Sequence, residues 1–283
     1  MSGTLFVVGT PIGNLDDVTI RAAEILRTAG VCYAEDTRRT RILLDHLGAR
    51  TPMRSLHQHN EQARVEEILN QLKSGVSLAL VSDAGTPTIS DPGCRVVQAV
   101  LDEGGSVSPI PGPSAVVSAL SVSGFSASRF VFAGFPPKRG RARDVWVSDV
   151  VSTEETVVVF EAPGRLAKLL DDLAEVGIEM RQAVVCRELT KLHEEVVLGT
   201  VAELATAYGE GSVKGEVTIV VSGASGVIDT APDLVTMREN SKAWAKEGLS
   251  RRDISERLVR EFRVGRNMAY RLSIQKEEGS EDG

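Results

Sequence analysis

Residues 82–93 read SDAGTPTISDPG, a run of glycine, proline and acid directly behind the apolar segment SLALV at 77–81. Two more loops of this kind follow short apolar runs: GTPIGNL at 9–15 behind LFVV, and PGPSA at 111–115 behind SVSPI. In an open, mostly parallel α/β sheet, loops leaving the carboxyl ends of strands converge on one crevice, and ligands bind there. Three such loops point to a cofactor site. Proline fixes φ and removes an N–H, while glycine lets backbone approach a ligand closely, so the cavity reads as rigid backbone with few charges. Asp83 and Asp91 bring negative charge to it, which repels a polyphosphate and suits a ligand carrying hydroxyls or a cation. No G-x-G-x-x-G opens the first helix and no G-x-x-x-x-G-K-[ST] occurs, which argues against a dinucleotide pyrophosphate cradle and a P-loop. S-adenosylmethionine, with ribose hydroxyls and a sulfonium, matches the site that remains.

The elements around these loops alternate. Helical apolar spacing runs through 16–30, through 61–75 (Val65, Ile68, Leu69, Leu72) and through 94–105, which ends in glycines suited to a cap. Strand, helix, strand units imply a parallel sheet over residues 1–120. Beyond it the composition shifts toward strands: RFVFAGF, TVVVFEA, QAVVCREL and GEVTIVVSG, with one strong helix, GRLAKLLDDLAEVGI, among them. That predicts a second α/β domain over 121–227 with a mixed sheet and more antiparallel pairing. Residues 228–236 read as a linker. At 234–276 a small helical, helix-turn-helix-like appendage is expected, with Ser250 and Asp253 as its cap and a turn at Val264 and Gly265, before an acidic tail at 277–283.

Net charge is −7, which by itself disfavours a generic nucleic-acid binder. Its distribution says otherwise. Residues 238–276 carry eleven Lys or Arg against five Asp or Glu, and KRGRAR at 138–143 forms a second basic cluster in an expected loop. Local positive charge contacts phosphates even on an acidic protein, because screening limits each patch to roughly 8–10 Å of reach. No run of eighteen apolar residues occurs and the start MSGTLFVVGT lacks a basic n-region, so a soluble cytoplasmic protein with no membrane partner is expected. Cys32, Cys94 and Cys186 lack metal or disulfide spacing and read as buried or inert thiols. His46, His57 and His59 lack a ligand pattern, and no metal is expected.

Dispersed segments in order along both halves carry a family resemblance: GTPIGNLDDVTIRA at 9–22, AEDTRRT at 34–40, HNEQ at 59–62, LVSDAGTPTISDPG at 80–93, PIPGPSA at 109–115, FEAPGRL at 160–166, RELTK at 187–191 and KGEV at 214–217. The chain resembles the tetrapyrrole-methylase-fold (class III) methyltransferases. Within them it resembles the branch that methylates the ribose 2′-oxygen of a decoding-centre cytidine in small-subunit (16S) ribosomal RNA. The resemblance implies a two-domain α/β fold, S-adenosylmethionine as cofactor, the small ribosomal subunit as partner, and a homodimer. It also implies cofactor contacts from Pro11, Ile12, Asp83, Gly85, Thr86, Ser114 and Ala115, with Phe160 and Val217 closing the site from the second domain.

A ribose hydroxyl is weakly acidic, so a base or cationic stabiliser near it is expected to help. The candidates are Glu161 and Arg165 in FEAPGR and Glu188 in RELTK, with Arg187, Lys191, Asp36 and Arg38 as further charged groups that structural ion pairs would equally explain. Many family members carry histidine where this chain has Gly164, so no imidazole at that position is required here. RNA contacts are expected from Arg38, from Lys138, Arg139, Arg141 and Arg143, and from Arg251, Arg252 and Arg266. Two other readings stand beside this one. A same-fold methyltransferase acting on a corrinoid precursor or a protein predicts no basic appendage, and a non-catalytic ribosome-assembly factor has no use for three cofactor loops.

Overall fold

The computed structural model describes residues 2–209, 213–224, 234–262, 269–270 and 272–273. Its first half alternates β1 (Thr4–Val8), α1 (Ile20–Thr28), β2 (Val31–Ala34), α2 (Thr37–His46), β3 (Met53–Ser55), α3 (Glu61–Lys73), β4 (Leu78–Val81), α4 (Cys94–Asp102) and β5 (Ser106–Ile110). The strands are all parallel, in the order β3-β2-β4-β1-β5. All four residues of β4 are buried, as a parallel strand covered on both faces requires. Successive side chains alternate across the sheet. Leu78 and Leu80 meet Ile68, Leu72, Val96 and Val100 of α3 and α4, whereas Ala79 and Val81 meet Leu26, Leu43 and Leu44 of α1 and α2. Each leucine so buried contributes about 1.5–3 kcal/mol. The connection leaving β1 passes β4 on the α1 face, and the one leaving β4 passes β1 on the α4 face. The topological switch point therefore lies between β1 and β4, where open α/β sheets hold their ligands.

The second half comprises α5 (Ala115–Ser123), β6 (Phe130–Phe132), α6 (Arg141–Ser152), β7 (Thr156–Glu161), α7 (Leu166–Leu173), β8 (Gln182–Arg187), β9 (Glu195–Thr200), α8 (Val201–Gly209) and β10 (Val217–Val221). Its sheet, ordered β6-β7-β10-β8-β9, is mixed: β6 pairs parallel with β7 and the other pairs are antiparallel. Val116, Ala119 and Leu120 of α5 pack on one face against Val158, Val184 and Val220. Val147 and Val150 of α6, four leucines of α7 and Leu204 of α8 fill the other. Residue 120, the expected domain boundary, thus lies inside a helix that packs on the second sheet. The segment 138–143, expected to be a loop, is one only as far as Gly140, and α6 starts at Arg141.

Contacts divide the chain into Met1–Gly226, which holds both sheets, and Val227–Gly283. In the latter, α9 (Leu234–Lys246) and α10 (Arg251–Phe262) enclose Met237, Trp244, Ile254 and Leu258, with Ala269 and Leu272. The Ser250 hydroxyl donates to Asp253 Oδ2 at 2.6 Å and accepts from the Asp253 N–H at 3.2 Å, the cap read from the sequence. The Arg257 guanidinium lies 4.3 Å above the Trp244 ring. The turn at Val264 and Gly265, Arg266, most of the 228–236 linker and the tail at 277–283 lie outside the described residues. Among the described residues no helix is long and apolar enough to cross a membrane. Cys32 and Cys186 are buried, which pushes their thiols up to about 12 and about 11, whereas Cys94, at the start of α4, is exposed.

Candidate active site

The loops behind β1, β4 and β5 meet backbone to backbone. Thr10 and Gly85 exchange two hydrogen bonds, N–H to O, at 2.8 and 3.0 Å. A Cβ on Gly112 would lie 2.7 Å from the Gly9 carbonyl oxygen, so only glycine permits this crossing. In the 82–93 loop Thr88 and Ser90 hold φ of 75° and 64°, a left-handed conformation that costs non-glycine residues free energy and clusters at ligand sites.

A cavity of about 370 Å³ opens where these loops face the second sheet. Ile12 lines it from the first loop, Asp83, Gly85 and Thr86 from the second, Ser114 and Ala115 from the third, and Phe160 and Val217 from β7 and β10. Pro11 lines an adjoining space instead. Glu35 and Arg39, which the sequence reading passed over, also line the cavity. The signal for them was present: AEDTRRT follows β2 as the other loops follow their strands.

Acid dominates this lining. Asp83 Oδ1 accepts the Asp36 N–H at 2.9 Å and Oδ2 lies 3.5 Å from Arg39. Burial, and next the charge of Asp83, pushes the Glu35 carboxyl upward. Asp91 is pushed up to about 6, first by burial and then by the charges of Glu35 and Asp83, against a hydrogen bond from Ser82. The carboxylates are under-compensated, a state that a bound cation relieves.

The expected catalytic groups are tied to neighbours. Glu161, buried at the end of β7, accepts from the Ala162 N–H and from Arg165 Nε, each at 2.7 Å. Its second oxygen lies 4.0 Å from Arg143 and has no hydrogen-bond partner among the described residues. Glu188 accepts from Lys191 Nζ at 2.7 Å and from the Glu216 N–H at 2.8 Å, bonds that hold its carboxyl below the usual range. Glu188 thus stands behind Lys191, and it is Lys191 that reaches the adjoining space.

Of the expected RNA contacts, Lys138, Arg139, Arg141, Arg251 and Arg252 are exposed, and so is Arg38, which pairs with Asp36 at 2.7 Å. Arg143 corrects the sequence reading. It is only 4% exposed, because it shares the inward stripe of α6 with Val147 and Val150, and its Nε sits 2.5 Å from Asp172. Such a guanidinium is an internal counter-ion and not a phosphate contact. Among the described residues no cluster of three or more His, Cys, Asp and Glu is placed to hold a metal.

Known proteins share this fold. Residues 4–205 match the tetrapyrrole (corrin/porphyrin) methylase family. The chain is 51% identical over 225 residues to the ribosomal RNA small subunit methyltransferase I of Xylella fastidiosa, covering 79% of this chain and 82% of that protein. It is 40% identical over 275 residues to the protein of the same name from Synechocystis, covering 97% and 99%. The solved uroporphyrin-III C-methyltransferase of Thermus thermophilus, complexed with S-adenosyl homocysteine, shares the fold at a TM-score of 0.57 and 19% identity over 79% of this chain and 99% of that one. The chain belongs to the tetrapyrrole methylase family, and within it to the ribosomal RNA small subunit methyltransferase I proteins.

Proposed function

We propose that the protein transfers a methyl group from S-adenosylmethionine to the ribose 2′-oxygen of a cytidine in the decoding region of 16S ribosomal RNA, within the small ribosomal subunit. One observation carries this reading: the acid-lined cavity at the switch point, in a chain 40% and 51% identical to proteins named for small-subunit ribosomal RNA methylation.

The residues present fit the cofactor. The cavity falls in the roughly 300–1,000 Å³ range of small-molecule sites. Ile12, Phe160 and Val217 offer apolar walls to a purine, Asp83 offers acceptors to ribose hydroxyls, and Glu35 and Asp91 offer negative charge to a cation. Ser114 does not cap α5 with its side chain, so the first N–H groups of that helix are available to a carboxylate. When bound, the cofactor supplies an electrophilic methyl group. The protein's part is to hold an acceptor oxygen in line with it and to exclude water, and such positioning supplies much of the acceleration in a displacement of this kind. Glu161 and Arg165 brace each other at the cavity wall, and Glu188 orients Lys191, so these three act as positioning groups. Phosphate contacts come from the exposed cations of the Val227–Gly283 unit and from Lys138, Arg139 and Arg141. The protein works in the cytoplasm as a homodimer.

Labelled S-adenosylmethionine offered with small subunits, naked ribosomal RNA and a corrinoid precursor tests this function. Label should enter the subunits, and nucleoside mass spectrometry should identify 2′-O-methylcytidine. A methyl on the base ring refutes the acceptor, and label confined to the corrinoid refutes the substrate.

A further inference from the structure

Beside the cofactor cavity lies a second space of about 360 Å³. The two share Ile12, Arg39, Asp83, Ala84 and Glu216, so they are lobes of one cleft. Asp83, Glu216 and Arg39 of α2 border both lobes, and the second lobe lacks Glu35, Asp91 and Glu161 and adds one cation, Lys191, in the turn before β9. Lys191 Nζ is fixed by Glu188 at 2.7 Å and Glu216 at 3.2 Å. Burial alone would weaken its hold on the proton, but these carboxylates outweigh burial and keep it charged. Leu15 and Ile42 supply apolar surface, and Ile42 is 62% exposed, an uncovered aliphatic side chain at the lip of the lobe. Arg38 and Arg41 continue the positive charge along the exposed side of α2.

We propose that this lobe is the acceptor site. It receives one nucleotide drawn out of the RNA strand, with the base against Ile42 and Leu15, the flanking phosphates on Lys191 and Arg39, and the ribose at the wall shared with the methyl donor. The proposal rests on assigning the first lobe to the methyl donor. Three physical requirements meet here. The acceptor oxygen must come within roughly 3–3.5 Å of the methyl group, so its site must be continuous with the donor's. A base lifted from its stack needs apolar surface to replace its lost neighbours. The backbone on either side of a ribose carries one negative charge per phosphate, and fixed cations position it. Glu188 acquires a role from this: it is a positioning residue that holds Lys191 at the lip.

Lys191→Gln and Ile42→Glu alter residues that wall the second lobe only. Three measurements on the full chain decide the matter: calorimetric affinity for S-adenosylhomocysteine, anisotropy of a fluorescein-labelled oligocytidylate at saturating S-adenosylhomocysteine, and KM and kcat on small ribosomal subunits. Both variants should keep S-adenosylhomocysteine affinity within about twofold while weakening oligocytidylate about tenfold or more and raising KM, and Lys191→Gln should lower the salt slope by about one unit. Because Ile42 is exposed, its replacement tests the lobe without risk to the fold. Unchanged oligocytidylate affinity and KM in both variants overturns the proposal. Loss of S-adenosylhomocysteine affinity also overturns it, since the lobe would then belong to the donor, as does a wild-type protein that does not bind oligocytidylate. If wild type binds oligocytidylate but leaves small subunits unmethylated, the assigned function falls, and the variants' oligocytidylate affinities still decide the lobe.

Discussion

Asp83 and Asp91 share one loop and do different work. Asp83 is tethered, with one oxygen on the Asp36 N–H and the other facing Arg39. Replacing it with alanine removes an acceptor from the cavity and frees the start of α2, and a hydrogen bond to a charged group is worth about 1.5–3 kcal/mol. Asp83→Ala should therefore weaken S-adenosylhomocysteine about tenfold or more by calorimetry. Wild-type affinity in that variant would remove Asp83 from the site. Asp91, raised to about 6, holds its proton where an ordinary aspartate has lost it. A cationic ligand favours its ionised form, so affinity for S-adenosylmethionine should rise as pH climbs through about 6 and then level. Asp91→Asn should flatten that rise, and S-adenosylhomocysteine, whose sulfur is neutral, should show less of it. The stability effect has the opposite sense. The folded chain binds a proton at Asp91 that the unfolded chain has released between pH 3.8 and about 6, so this group's contribution is lost as pH rises through that window. Urea unfolding of wild type and Asp91→Asn from pH 4 to 7 checks the sign.

At the scale of elements, α4 shows how a conspicuous segment can belong to the fold. The helix starts behind Gly93, which has no side chain to cap it. The Glu61 carboxylate, buried at the start of α3, accepts the Gly93 N–H at 3.1 Å and the Arg95 N–H at 2.8 Å instead. Asn60 beside it accepts the His57 N–H at 2.8 Å and donates to the Ser55 carbonyl at 3.2 Å. HNEQ at 59–62 therefore caps α4 through Glu61, ties the turn before α3 through Asn60, and steadies the far end of the 82–93 loop. Glu61→Ala leaves those N–H groups without an acceptor, and chemical denaturation should register a loss of about 1–3 kcal/mol. An unchanged denaturation midpoint would mean that the cap contributes nothing. Nothing near Glu61 in sequence signals this role, because its partners lie 32 and 34 residues away.

For the whole molecule, the division at 226/227 separates cofactor chemistry from much of the basic charge. Both lobes of the cleft are built within Met1–Gly226. A chain ending at Gly226 should bind S-adenosylhomocysteine with nearly full affinity and methylate small subunits less well. Its residual activity should depend less on salt, since each phosphate contact removed takes roughly one unit from the slope. Charge reversal at Arg251 and Arg252 should reproduce part of the effect, and reversal at Lys138, Arg139 and Arg141 tests the other patch independently. A truncated chain that aggregates or loses the cofactor would make the helical unit structural and leave RNA recognition to the cleft rim and the 138–141 cluster.

The sequence by itself determined β1, β4 to β8 and β10, the helices α1, α3, α4 and α7, and the loops that line the cavity, but not β2, β3 and β9 or the helices α2, α5, α6 and α8. The features it determined are local: period-two and period-3.6 apolar spacing reports burial, and clustered glycine, proline and aspartate report the turns between. It also determined the family, because short motifs in fixed order across two domains are hard to match by chance. Only the tertiary structure decided which charges face the cleft. Arg143 and Arg141 sit two residues apart in one basic cluster, yet helical rotation buries the first against Asp172 and leaves the second in solvent. Glu188 is legible in the sequence as a candidate base, but the Lys191 ammonium and the Glu216 N–H that occupy its carboxylate are not. The acceptor lobe joins α2 to the turn before β9, segments about 150 residues apart in the chain. A charge acts through what surrounds it in space, and chain folding sets that surrounding across separations that no local pattern spans.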